Sequence, residues 1–94
     1  GKYKGRILWV LRDDILRYGE LKRAIGGVTP KMLTQTLRAL EADELVSRKV
    51  YVEVPPKVEY ALTKSGQELI PFIEQLRSWA KNQMEQKNIT VNYL

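Results

Sequence analysis

The chain contains no cysteine and no histidine among its 94 residues. The first absence excludes disulfides and thiol-ligated metal, and it fits a reducing compartment. The second removes the commonest general base. With cysteine gone as well, the usual transition-metal ligands and the best nucleophile are missing. Carboxylates could still catalyse, yet no paired-carboxylate pattern is found, so no enzyme is expected and neither a metal nor a cofactor. No apolar run is long enough to cross a bilayer. No stretch has the apolar core and small-residue cleavage site of a secretory signal. The expectation is a cytoplasmic protein. The chain begins at Gly1 rather than Met, which leaves room for a preceding segment. Repeats, low-complexity stretches and interdomain linkers are also lacking, so residues 1–94 read as one small domain.

What is present is basic. Sixteen Lys and Arg against eleven Asp and Glu give a net charge of +5. Such a surplus suits a polyanionic partner, although solubility alone accounts for similar charge in many small domains. The surplus is uneven. Residues 1–31 hold eight basic side chains (Lys2, Lys4, Arg6, Arg12, Arg17, Lys22, Arg23, Lys31) and three acids (Asp13, Asp14, Glu20).

Tyr3 to Leu11 reads as a first helix, with Ile7, Val10 and Leu11 at helical spacing. Asp13-Asp14 interrupts it. Glu20 to Ile25 forms a short second helix ended by Gly26-Gly27, since glycine tolerates the positive φ that helix stops often need. Thr29-Pro30 then announces a third helix, over about 30–42. Threonine is a good N-cap, and proline is favoured at the first helical position. Two helices separated by a short glycine-containing turn are the layout of a helix-turn-helix. From Val46 the period changes. Val46, Val50 and Val52 share one strand face, and Val58, Tyr60 and Leu62 alternate with Lys57, Glu59 and Ala61. The prolines of Glu53-Val54-Pro55-Pro56 cannot donate ladder hydrogen bonds, which makes this segment a hairpin tip. Helices followed by one protruding hairpin, over about 46–62, suggest a winged helix. Thr63 caps a last helix over about 64–87, which Pro71 interrupts and is expected to kink. The tail Ile89 to Leu94 reads as a short strand or as disordered, and Asn88-Ile89-Thr90 is read as a chance match to a glycosylation acceptor. The fold class is α+β, mostly α, with a two-stranded wing and a long C-terminal helix.

The third helix has two chemically opposite sides. On a wheel of ~100° per residue with Lys31 at ~0°, Gln35 falls near ~40°, Arg38 near ~−20° and Thr34 near ~−60°. Leu33, Leu37 and Leu40 cluster between ~180° and ~240° on the same wheel. One side is suited to the domain core. The other carries donors that base edges and phosphates accept: Arg pairs with guanine, Gln with adenine, and Thr reaches a phosphate or a thymine methyl. An ordinary solvated polar face would have the same pattern; the preceding turn and following hairpin favour the recognition reading. Thr29, Lys31, Thr34, Gln35 and Arg38 are therefore the candidate major-groove residues, with Met32 at the groove edge. On the wing, Lys57 with Arg48 or Lys49 would neutralise phosphates. The Lys22-Arg23 pair is read as solvated.

In the last helix, Leu69, Ile70, Phe72, Ile73, Leu76, Trp79, Ala80 and Met84 cover roughly half the circumference, wider than a single small core requires. The expectation is dimerisation through Leu69, Phe72, Ile73, Leu76, Trp79 and Ala80. The alternative is packing on the first helix of the same chain.

The stretches Gly1 to Lys4, Tyr18 to Ile25, Thr29 to Glu41, Val54 to Tyr60 and Leu62 to Gly66 resemble the HxlR-type transcription regulators, relatives of the MarR group. Lys31-Met32-Leu33-Thr34 and Pro55-Pro56-Lys57-Val58-Glu59-Tyr60 are the most specific. The resemblance runs from Gly1 to about Trp79. It implies a bacterial, homodimeric winged helix with the third helix in the major groove and the hairpin as wing. It further implies dimerisation through the terminal helices and regulation of nearby genes in response to a chemical signal, hence an unidentified small-molecule effector. Three positions depart from the family pattern. Tyr3 stands where a Trp is usual. Asp43-Glu44 replaces Asp-Gly, and if that position requires positive φ, Glu44 costs about 1 kcal/mol. A redox-sensing Cys that many members carry upstream is not in this chain.

Sequence-specific binding of double-stranded DNA by a homodimeric regulator is thus the expectation. A winged helix used for protein contacts is the alternative, and an enzyme the third.

Overall fold

A computed structural model describes residues 2–87 of the chain. The elements in order are α1 (Lys4–Val10), β1 (Leu16–Arg17), α2 (Tyr18–Ile25), α3 (Pro30–Ala42), β2 (Val46–Tyr51), β3 (Lys57–Leu62) and α4 (Lys64–Lys87). The tail reading, strand or disordered, lies outside the described residues, as does the Asn88-Ile89-Thr90 motif.

The helix boundaries follow local chemistry. Helix α2 starts two residues before the sequence expectation. The Glu20 carboxylate accepts the Arg17 backbone N–H at 2.8 Å. This is the return half of a capping box; the other half cannot form, because a guanidinium has no acceptor. Gly26 and Gly27 both sit at φ +67°, so the turn after α2 is built from the residues that reach that region without strain. Thr29 then caps α3, its hydroxyl oxygen accepting the Met32 N–H at 3.1 Å. At the other end α3 closes in a Schellman motif. Glu44 N–H donates to Glu41 at 2.9 Å and Leu45 N–H to Leu40 at 3.0 Å. The residue that turns the chain is Glu44, at φ +60°. Position 44, where the family pattern has the Gly of Asp-Gly, is therefore left-handed.

The sheet has three antiparallel strands in the order β1-β3-β2. Strand β1 was not expected: two residues are too short for an alternation to register. It pairs Leu16 with Tyr60 and Arg17 with Glu59 on the inner edge of the hairpin. In the hairpin Val46 opposes Leu62, Arg48 opposes Tyr60, Val50 opposes Val58 and Tyr51 opposes Lys57. The expected valine face is buried only at its root. Val46 is buried, Val50 is about half exposed, and Val52 lies beyond the strand in full exposure. The hairpin projects past the core, so nothing covers its outer half.

The core gathers Ile7 and Leu8 from α1 and Leu11 just after it, Leu21 and Ile25 from α2, Val28, and Leu33, Leu37 and Leu40 from α3, with Val46 and Tyr60 of the sheet. Helix α4 runs unbroken through Pro71. At roughly 1.5 Å per residue its length is about 36 Å, and the molecule is correspondingly elongated, 52 Å along its major axis.

Candidate nucleic-acid interface

Helix α3 has its apolar and polar sides separated as the wheel requires. Leu33, Leu37 and Leu40 are 0–1% exposed, whereas Lys31, Gln35 and Arg38 are all exposed. Met32 is 43% exposed beside them. Thr36, on the inner side, meets its hydrogen-bonding need by donating to the Met32 carbonyl at 2.7 Å. Two of the candidate residues have structural duties as well. Thr29 uses its hydroxyl oxygen as the helix cap. Thr34 is half-buried, with its hydroxyl 3.4 Å from that of Tyr18.

Tyr18 was not foreseen. Its hydroxyl donates to the Pro30 carbonyl at 3.1 Å, bracing the first turn of α2 against the first turn of α3. A tyrosine at a helix start carries no pattern of its own; only its neighbour in space makes it part of the site.

The wing cations divide between its two faces. Directly opposed residues of an antiparallel pair share a face. Arg48, opposite buried Tyr60, therefore lies on the side turned to the core and α3. Lys49, Tyr51, Glu59 and Lys57 lie on the other. There the Lys49 and Lys57 ammoniums stand 4.8 and 4.3 Å from the centre of the single Tyr51 ring. Tyr51, also unforeseen, gathers both lysines by cation–π attraction. Arg48 instead joins Arg38 across a cleft of about 400 Å³ lined also by Tyr18, Thr34, Leu37, Glu41 and Tyr60. Both arginines are exposed.

The apolar stripe of α4 is shared between two duties. Leu69 and Ile73 are half-buried and pack against the chain's own core. Phe72 is 67% and Leu76 41% exposed, with Trp79 half exposed and Ala80 partly covered. The ring of Trp9 in α1 has two guanidiniums near it, Arg12 at 3.9 Å and Arg77 of α4 at 4.6 Å from the ring centre.

A family model described as HxlR-like helix-turn-helix matches residues 1–88. YkvN of Bacillus subtilis, described as an uncharacterized HTH-type transcriptional regulator, is 51% identical over 87 residues, covering 93% of this chain and 74% of that protein. A Methanothermobacter thermautotrophicus protein of the same description is 48% identical over 81 residues, 86% of this chain. The match spans 62% of that relative's length, less than two thirds of it. Among solved structures, the redox regulator HypR in its reduced form superposes with a TM-score of 0.87. It is 41% identical, over 94% of this chain and 87% of that one.

Proposed function

This chain belongs to the HxlR-like helix-turn-helix family, and from that premise we propose that it binds specific sites on double-stranded DNA as a homodimer and thereby regulates transcription. Helix α3 enters the major groove, and the wing meets the flanking backbone or minor groove. The observation that carries the reading is the polarity of α3. Its leucines are sealed in the core while Lys31, Gln35 and Arg38 stand free on the opposite side. Had these three been buried, no duplex could reach them. Gln35 and Arg38 have the donors that adenine and guanine edges accept in the major groove, and Lys31 is placed for phosphate.

Dimerisation is supported by Phe72 and Leu76, large apolar side chains left exposed one turn apart on α4. Pairing of two copies through α4 would set two α3 helices about 34 Å apart, one turn of the duplex. Catalysis has no part in this reading. HypR is described as a redox regulator. The 94 residues here contain no cysteine, so a thiol signal would find no acceptor among them.

A gel-shift titration in a salt series tests the reading, on the duplex protected in a footprint upstream of the protein's own gene. Affinity should fall steeply as salt rises. Arg38→Ala should cost about 1–3 kcal/mol on the specific duplex. Equal binding by the variant would remove Arg38 from base reading, and a salt-independent interaction would favour the protein-contact alternative.

A further inference from the structure

Arg38 and Arg48 come from different elements, α3 and the root of the wing, yet they line the same cleft. Both are exposed. The ion pairs among the described residues are Lys4–Asp43 and Arg12–Asp13, so neither cleft arginine is neutralised by a carboxylate. Two guanidiniums that share a gap with no carboxylate in ion-pair contact repel each other, and an anion between them relieves this. Each guanidinium offers a planar fork of donors that matches two oxygens of a phosphate.

We infer that a phosphodiester of the DNA backbone occupies this cleft, held by Arg48 from the wing and by one edge of the Arg38 guanidinium from α3, whose remaining N–H groups are left for the base edge, so that one strand of the duplex passes between recognition helix and wing. The inference rests on the reading of α3 as the major-groove helix. Strand pairing fixes Arg48 for the task. Its partner Tyr60 is buried, and Val46, two residues away on the same face, is buried too. The arginine thus projects from an anchored segment, not from the tip. Glu41 is the one acid in the lining. It belongs to the last turn of α3, one turn beyond Arg38, whereas Thr34 lies one turn before Arg38, beside the Tyr18 hydroxyl. Like charge keeps a phosphate from the Glu41 end and leaves the Thr34–Arg38–Arg48 end to receive it. Lys49 and Lys57 are turned the other way, over Tyr51, and so meet a different stretch of backbone. In this arrangement Arg48 positions the protein and reads no base.

The test compares full-length wild type, Arg48→Ala and Arg48→Lys on two duplexes, the footprinted one and a scrambled one of equal length. Arg48→Ala should weaken both by a similar factor, about tenfold or more. It should also lower the slope of log K against log salt by about 0.9 for each phosphate no longer neutralised, so about 1.8 for a dimer. Arg48→Lys should restore the slope and only part of the affinity, because the charge returns without the fork. Neutral methylphosphonate linkages, introduced one at a time, should reveal one position per half-site that weakens wild type more than Arg48→Ala, in which only the Arg38 contact is left to lose. An unchanged slope in Arg48→Ala overturns the clamp, as does weakening confined to the footprinted duplex. Either result leaves the DNA-binding reading standing. A wild type that binds neither duplex overturns both.

Discussion

The Thr63 hydroxyl donates to the Glu44 carbonyl at 2.6 Å and accepts the Gly66 N–H at 3.1 Å. One side chain thus ties the residue that ends α3 to the first turn of α4. The Thr63 N–H adds a backbone bond to the Leu45 carbonyl at 3.1 Å. Because α3 carries the candidate reading face and α4 the exposed apolar stripe, this junction sets the angle between the two.

Removal of the Thr63 hydroxyl should therefore be felt. Thr63→Val should lower stability by about 1–2 kcal/mol, through the lost cap and the orphaned carbonyl, whereas Thr63→Ser should stay close to wild type. Urea unfolding monitored by circular dichroism gives both values. Equal midpoints for Val and wild type would deny the junction its weight.

Glu44 sits at φ +60°, a region that costs a side-chain-bearing residue strain. Glu44→Gly should stabilise the protein by about 1 kcal/mol, the relief of the left-handed strain exceeding the added freedom of the unfolded chain. The urea midpoint should rise with an unchanged m value.

Gly66 has the opposite constraint. A Cβ there would overlap the Leu45 carbonyl oxygen and crowd the Leu62 side chain. The obstacle is backbone and cannot rotate away. Gly66→Ala should cost about 1–3 kcal/mol, despite the better helix propensity of alanine. A thermal melt that shows no loss would mean that the junction yields more readily than its packing implies.

Tyr18→Phe removes the bonds to Pro30 and Thr34 and leaves the ring in place. The expected loss is about 0.5–1.5 kcal/mol of stability. DNA affinity should drop while the salt slope is unchanged, since no phosphate contact is lost. A reduced slope would instead make the tyrosine hydroxyl a backbone contact.

Phe72→Glu places a charge on the exposed side of α4. The isolated fold should tolerate it, because Phe72 is 67% exposed. Sedimentation equilibrium should find wild type as a dimer and the variant as a monomer, with DNA affinity lost alongside. A variant that remains dimeric would move the interface elsewhere.

The order and kind of the main elements were legible in the chain because their signals are local. Thr29-Pro30 starts a helix by capping chemistry and fixed φ, Gly26-Gly27 stops one by permitting positive φ, and Pro55-Pro56 prevents pairing at the hairpin tip. The sides of α3 follow from the helical period alone. The site was legible only in part. Lys31, Gln35 and Arg38 stand out on a wheel. Tyr18, Tyr51 and Glu41 do not, because each matters through residues distant in sequence.

Sequence by itself determined which side chains lie on which side of each helix and that adjacent wing residues Arg48 and Lys49 point apart, since these follow from the 3.6 and 2.0 periods of the backbone. It determined too that residue 44 would be strained if the turn there were left-handed. Only the tertiary structure decided that it is, that Arg48 rather than Lys49 turns toward Arg38, and that Leu69 and Ile73 serve the chain's own core. The reason is that a period fixes relative direction along one element. Absolute direction, toward core, cleft or open solvent, is set by what the other elements bring against it.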